Sequence, residues 1–432
     1  MVANDSRAKL LAGVVEVDIT PPVGVPMAGY GARTKNSIGM HDPLYARALY
    51  LKLDSGQLLL ITCDLIGVDL NFTNQIRKDI SDTIGISPDH VMVSCSHTHS
   101  GPQGFLPDEP VHVSLRDEGL RKITHRKLLG AAKWAFSKAE PVNLAFYDLD
   151  LTDIGKNRNN PEEGPIDPQL SLLRFNKPNG DPYAVLYNYG CHPTVMGHQN
   201  LLISADLPGA ASRALKRHYP DCVFIFTNGA SGDVSTRFTR REQRFAEVER
   251  LGNILASGVL QAMMKSEPLP VDEIHGERIM LQLPQRSFPP EEEIRTNIRD
   301  LEVKIEKLKA QSAPHGEIRK VVTQLEGAKG QQVMVKTQID PAFFSTELQF
   351  FHIGPLFLAG VPGEPFSQTV LDIKANCSNK MPMIISYAND TKGYFPDQQS
   401  IENKTYEALI SPYDRRVSDL ICQLTTDHCK EG

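Results

Sequence analysis

Apolar residues along this chain gather in short runs, and five of those runs stop abruptly at a polar cluster. Val91-Met92-Val93-Ser94-Cys95 is followed at once by Ser96-His97-Thr98-His99-Ser100-Gly101-Pro102. Ala184–Tyr189 leads into Gly190-Cys191-His192-Pro193, and Cys222–Phe226 leads into Asn228-Gly229-Ala230-Ser231-Gly232-Asp233-Val234-Ser235. Leu356–Val361 ends at Pro362-Gly363-Glu364, and Pro382–Tyr387 ends at Ala388-Asn389-Asp390. Runs of this length and β-branched content, bounded by Gly and Pro, predict strands.

Further strand signals occupy 12–70. Helical spacing is predicted over Asn71–Ile84 with Asn71 as its cap, over Ala131–Ala139, and over Leu207–His218 entered through Asp206 and Pro208. Interleaved strands and helices predict an α/β fold with a mixed sheet core and helices outside. Over 290–328 the pattern changes to helical spacing with heavy surface charge, broken at Ala313-Pro314-His315-Gly316. That predicts a helical hairpin laid on a single catalytic unit spanning 1–432. The hairpin is a passive cover, a surface for homo-oligomer contacts, or a lid over a site.

Composition narrows the function classes. A net charge of -6 over 432 residues argues against a nucleic-acid or anionic-membrane surface. No apolar run reaches the ~18 residues that span a bilayer. The N-terminal Met1–Lys9 is polar and reads as no secretory signal. Seven cysteines without a Cys-x-x-Cys pair argue against a disulfide framework and fit a reducing, cytoplasmic setting, with Cys63, Cys95, Cys191 and Cys222 reading as small buried hydrophobes.

The strand-end clusters carry the chemistry, because ligand sites in open α/β sheets lie beyond the carboxyl ends of strands. His97 and His99, two apart, share one face of an extended segment. With His192 and Glu364 they make a set suited to catalytic zinc, which takes three protein ligands and leaves a position open. The glycines around Ser231 allow close backbone approach, although neither Walker A nor Gly-x-Ser-x-Gly is present. Arg158, in a polar strandless segment, has the donor geometry to hold a carbonyl oxygen.

In this order the clusters resemble the neutral, non-lysosomal ceramidases, which are zinc-dependent amidases. The resemblance runs from about Gly13 to Tyr406. It is carried by Val17-Asp18-Ile19-Thr20-Pro21, Met27-Ala28-Gly29-Tyr30, Tyr45-Ala46-Arg47-Ala48, the His97 cluster, Asn157-Arg158, Cys191-His192-Pro193-Thr194, Ser204-Ala205-Asp206, Gly232-Asp233-Val234-Ser235 and Pro362-Gly363-Glu364. It implies Zn2+ held by His97, His192 and Glu364, with His99 and Arg158 beside the substrate carbonyl and Ser235 as the active-site serine. The implied reaction is hydrolysis of a small or lipid-like N-acyl amide by a metal-activated water with an assisting serine. Hydrolysis of a different ester or phosphoester is the alternative, ahead of a non-catalytic binding protein.

Three positions depart from the family pattern. Its fourth zinc ligand, a tyrosine, falls on Thr391 when counted back from Tyr394, so the neighbouring Asp390 is expected to take that role. Thr236 follows Ser235 where the family has proline. The family's C-terminal β-sandwich domain is not expected within these 432 residues.

Overall fold

The computed structural model describes residues 9–106, 116–336, 339 and 341–431, so most of the N-terminal segment read above lies outside the described residues. Three sheets carry the fold. The first runs in the order Val91–Cys95, Gly56–Cys63, Tyr45–Leu53, Leu11–Asp18, Glu140–Pro141, and the second in the order Val223–Asn228, Pro182–Tyr189, Gln169–Asn176, Asn143–Asp150, Glu267–Pro268. The third is Ile274–Gln282, Ser345–Ile353, Leu356–Gly360, Met381–Ile385. The five runs singled out in the sequence are all strands here, with bounds shifted by one or two residues.

The inner faces of all three sheets share one apolar core that includes Leu58, Leu60, Leu144, Leu186, Ile225, Leu358 and Met383. Helices Leu70–Ile84 and Glu118–Ser137 cover the outer face of the first sheet, and Asp206–His218 and Phe245–Lys265 that of the second. Ser367–Asn376 and Arg416–Glu431 cover the third. Strands buried on both faces explain the near-continuous apolar runs of the sequence. The architecture is the expected mixed α/β.

Helix bounds differ where capping chemistry outweighs periodicity. The first helix begins at Leu70, because Asp69 rather than Asn71 accepts the N–H of Phe72 at 2.7 Å. It ends where Gly85 adopts a left-handed φ of 72° and donates to Ser81. The hairpin is longer than its sequence pattern, with helices Glu291–Ala310 and His315–Lys336.

One regularity positions the site. Each sheet contains a single parallel pair: Gly56–Cys63 with Val91–Cys95, Pro182–Tyr189 with Val223–Asn228, and Leu356–Gly360 with Met381–Ile385. Parallel neighbours end at the same edge, so each pair delivers a strand-end cluster on one side. The three edges are stitched together by backbone bonds from Asn389 to Val93, Ser386 to Asn228 and Cys95 to Tyr387. The Asn228 amide donates to the carbonyls of both Ser96 and Cys191, tying the two histidine loops to each other.

Candidate metal centre

His97 leaves its strand in the left-handed region, with φ 67°, and Tyr387 does the same with φ 54°. Non-glycine residues held there cost about 1–3 kcal/mol and cluster at functional sites. The turn aims the His97 ring inward, where it stacks on Tyr387 at 3.9 Å between centroids. His97 Nδ1 lies 2.7 Å from the Ile66 carbonyl, and His192 Nδ1 lies 2.5 Å from the Ser231 carbonyl. A carbonyl only accepts, so both Nδ1 atoms carry the proton and both Nε2 atoms present lone pairs.

Those lone pairs converge. The two Nε2 atoms are 3.2 Å apart, and His99 Nε2 is 3.1 Å from that of His97. A carboxylate oxygen of Glu364 stands 3.2 Å from His192 Nε2 and 3.9 Å from His97 Nε2. All four side chains are buried. Burial holds the imidazoles below their ordinary range, His97 down to about 3 and His99 and His192 well below it. The Nε2 lone pairs of His97 and His192, facing each other beside the Glu364 carboxyl group, repel. A cation resolves the conflict, and tetrahedral zinc at 2.0–2.1 Å from each nitrogen sets neighbouring donors about 3.3 Å apart. The three histidines are the group among the described residues whose donor atoms could hold a metal ion.

Glycine makes this packing possible at two places. A Cβ on Gly29, whose φ is 97°, would lie 2.4 Å from the His99 ring. A Cβ on Gly232 would lie 2.5 Å from the Glu364 carbonyl. Glu364 itself sits in a two-residue strand pair, opposite Tyr394.

Arg158 is fixed from several sides. Its Nε pairs with Glu407 at 2.7 Å, its Nη2 donates to the Gly232 carbonyl, and its guanidinium lies over the Tyr394 ring. The buried Asp233 accepts from Ser367 and Asn157, and its backbone carbonyl holds the Arg158 N–H at 2.8 Å. Ser235 follows on the same segment, pairs with Lys156, and forms a parallel bridge with His192. Its Oγ accepts from Arg237 N at 3.4 Å. Asp206 holds the turn after His192 by accepting from Val195 and Met196.

Asp390, expected as the fourth ligand, is engaged by other groups. Both of its oxygens are committed elsewhere, to Lys392 at 3.1 Å, Thr346 at 2.9 Å, and the N–H groups of Leu70 and Thr391. Thr391 donates to the Val68 carbonyl. Besides Tyr387 on His97, two further tyrosines border the site: Tyr30, 4.9 Å from the His99 ring, and Tyr394, 6.2 Å from that of His192. His99, expected beside the substrate, stands as near to His97 as His192 does. Sequence reasoning missed Tyr394 and Glu407, since neither ends an apolar strand.

A sequence model described as "Neutral/alkaline non-lysosomal ceramidase, N-terminal" matches residues 10–245, over half of the chain. The chain belongs to this family. The match takes in His97, His99, Arg158, His192 and Ser235, and stops before Glu364. Among family members, neutral ceramidase A of Dictyostelium discoideum is 26% identical over 238 residues, 50% of this chain and 33% of its own length. Neutral ceramidase of Pseudomonas aeruginosa is 27% identical over 221 residues, 46% of this chain and 32% of its own length. The matched stretch is thus about a third of these ceramidases. The crystal structure of neutral ceramidase from Pseudomonas aeruginosa shares the fold, with a TM-score of 0.78 at 20% identity over 98% of this chain and 74% of that one.

Proposed function

We propose that this ceramidase-family chain is a zinc-dependent hydrolase of N-acyl amides, with ceramide-like lipids as the reference substrate class. The observation that carries this reading is the His97–His192 pair, two Nε2 lone pairs 3.2 Å apart and facing Glu364. Nε2 of His97 and of His192 and the Glu364 carboxylate would hold the ion, with His99 Nε2 adjoining. Bound zinc supplies Lewis-acid chemistry, polarising a carbonyl and acidifying water.

The protein residues do the rest. Ile66 and Ser231 carbonyls fix the tautomers, so proton transfer to His97 or His192 is suppressed and their lone pairs stay available. Arg158, locked by Glu407 and Gly232, presents its remaining donors to the developing oxyanion without reorganisation, a contribution of about 3 kcal/mol for one such donor. Ser235, between the His192 and Arg158 segments, positions the nucleophile.

Metal analysis of freshly purified protein tests the first half. One zinc per chain is expected in the wild type, and little in His192→Ala. Hydrolysis of N-acyl amides of graded chain length tests the second, with His192→Ala losing activity. A wild type that binds zinc and cleaves no amide overturns the substrate class, and one that binds no zinc overturns the metal reading.

A further inference from the structure

A cavity of about 560 Å³ adjoins the site at Arg158, within the range of small-molecule pockets. Its wall is shared by the Ser235 segment, which supplies Arg237 and Phe238, and by helix His315–Lys336, which supplies Arg319, Lys320 and Thr323. The hairpin therefore builds part of the cavity. Long apolar lining is missing from this set, and cations are in excess.

The cations differ in what already neutralises them. Arg158 pairs with Glu407, and Arg319 with Glu326. Arg237 is half-buried, and its guanidinium makes no ion pair or hydrogen bond to any described residue. Its pKa is pulled down to about 10, first by burial and then by Arg158 and Arg319. Lys320 has no ion pair among the described residues. Acidic groups on the same wall do not compensate. Asp233 is occupied by Ser367 and Asn157, Asp397 caps Ser400, and Glu163 is exposed. Nearby, Arg240 donates to the Thr194 carbonyl, makes no ion pair among the described residues, and adds further like charge against Arg237. A partly desolvated guanidinium crowded by like charges is stabilised by an incoming anion, for which its planar donors are suited.

We infer that the substrate carries an anionic group, a carboxylate or a phosphate, seated against Arg237 and Lys320 while its amide lies at Arg158 and the histidines. This rests on the amide-hydrolase reading and sets the preferred substrate apart from uncharged ceramide.

The test is kcat/KM on matched pairs: N-palmitoylglycine against N-palmitoylethanolamine for the carboxylate, and ceramide phosphate against ceramide for the phosphate. A preference of about tenfold or more for the anionic member of one pair is expected, equivalent to ~1.4 kcal/mol. Arg237→Gln and Lys320→Gln should each shrink that ratio, and Arg237→Lys should restore part of it. Equal or better turnover of the neutral members, or an unchanged ratio in both Gln variants, overturns the inference. If no amide is cleaved, the hydrolase reading fails, and calorimetric binding of the same four compounds to zinc-loaded protein decides the anion site. Tighter binding of an anionic member that is lost in Arg237→Gln sustains it; indifference to charge, or no binding, overturns it.

Discussion

His97 and His192 face each other nitrogen to nitrogen, 3.2 Å apart, each with its other nitrogen fixed on a backbone carbonyl. Such a pair is poised for a cation and is costly without one. Stripping the protein with a chelator should lower its thermal midpoint, and zinc should restore it. The expected recovery is about 2.7 kcal/mol at free zinc a hundredfold above the dissociation constant, read by calorimetry or denaturant titration. His97→Gln, which removes one lone pair from the confrontation, should narrow the difference between stripped and loaded protein.

The buried imidazoles set the acid limb of the metal-free protein. Their folded-state pKa values lie below the unfolded value of about 6.5. Their contribution to stability is therefore present above pH 6.5 and is lost as pH falls below it. Each group contributes up to about 1.4 kcal/mol per pH unit. Asp206 and Asp233 act in the opposite sense, since burial raises them to about 6 and about 7, so stability they contribute at low pH is lost as pH rises through those values. Comparing wild type with His99→Gln isolates one imidazole. The acid slope of the variant between pH 6.5 and 4.5 should be shallower by that single-group amount.

Asp390 should behave as a structural acid. Asp390→Asn leaves the buried Lys392 ammonium, 3.1 Å away, without its carboxylate. The expected cost is roughly 3 kcal/mol of unfolding free energy. Zinc content measured on the folded variant should equal that of the wild type. A loss of zinc with stability intact would return Asp390 to the ligand set.

Arg158→Lys keeps the charge and discards the fork that spans Glu407 and the Gly232 carbonyl. We expect kcat on an N-acyl amide to fall by about 100-fold, with zinc content unchanged. Restoring turnover to within a few-fold by Lys would show that charge alone suffices at this position.

Much of this was legible in the sequence because it is local. A strand that stops at His97, His192 or Glu364 can be read from its own few residues, and the strand-end rule then brings the clusters to one side. Tyr394 was out of reach for the opposite reason. It enters the site through pairing with Glu364, thirty positions earlier, a register that no periodicity records. Asp390 shows the converse difficulty: the partner of this strand-end carboxylate is Lys392, two residues on, which no strand-end rule records. The extent of the hairpin was underestimated because the second helix interleaves apolar and polar residues without a clear face. Its cavity wall becomes visible only once the helix lies against Tyr406–Ile410.

The three parallel strand pairs each end at one donor cluster, and the donors are far apart along the chain. Apart from His97 and His99, which share one loop, none of them can meet a partner until their sheets have docked. An ion captured there arrives after the folding barrier has been crossed, so it should leave the refolding rate unchanged and slow unfolding instead. Zinc would then govern how long the native state lasts, rather than how quickly it is reached.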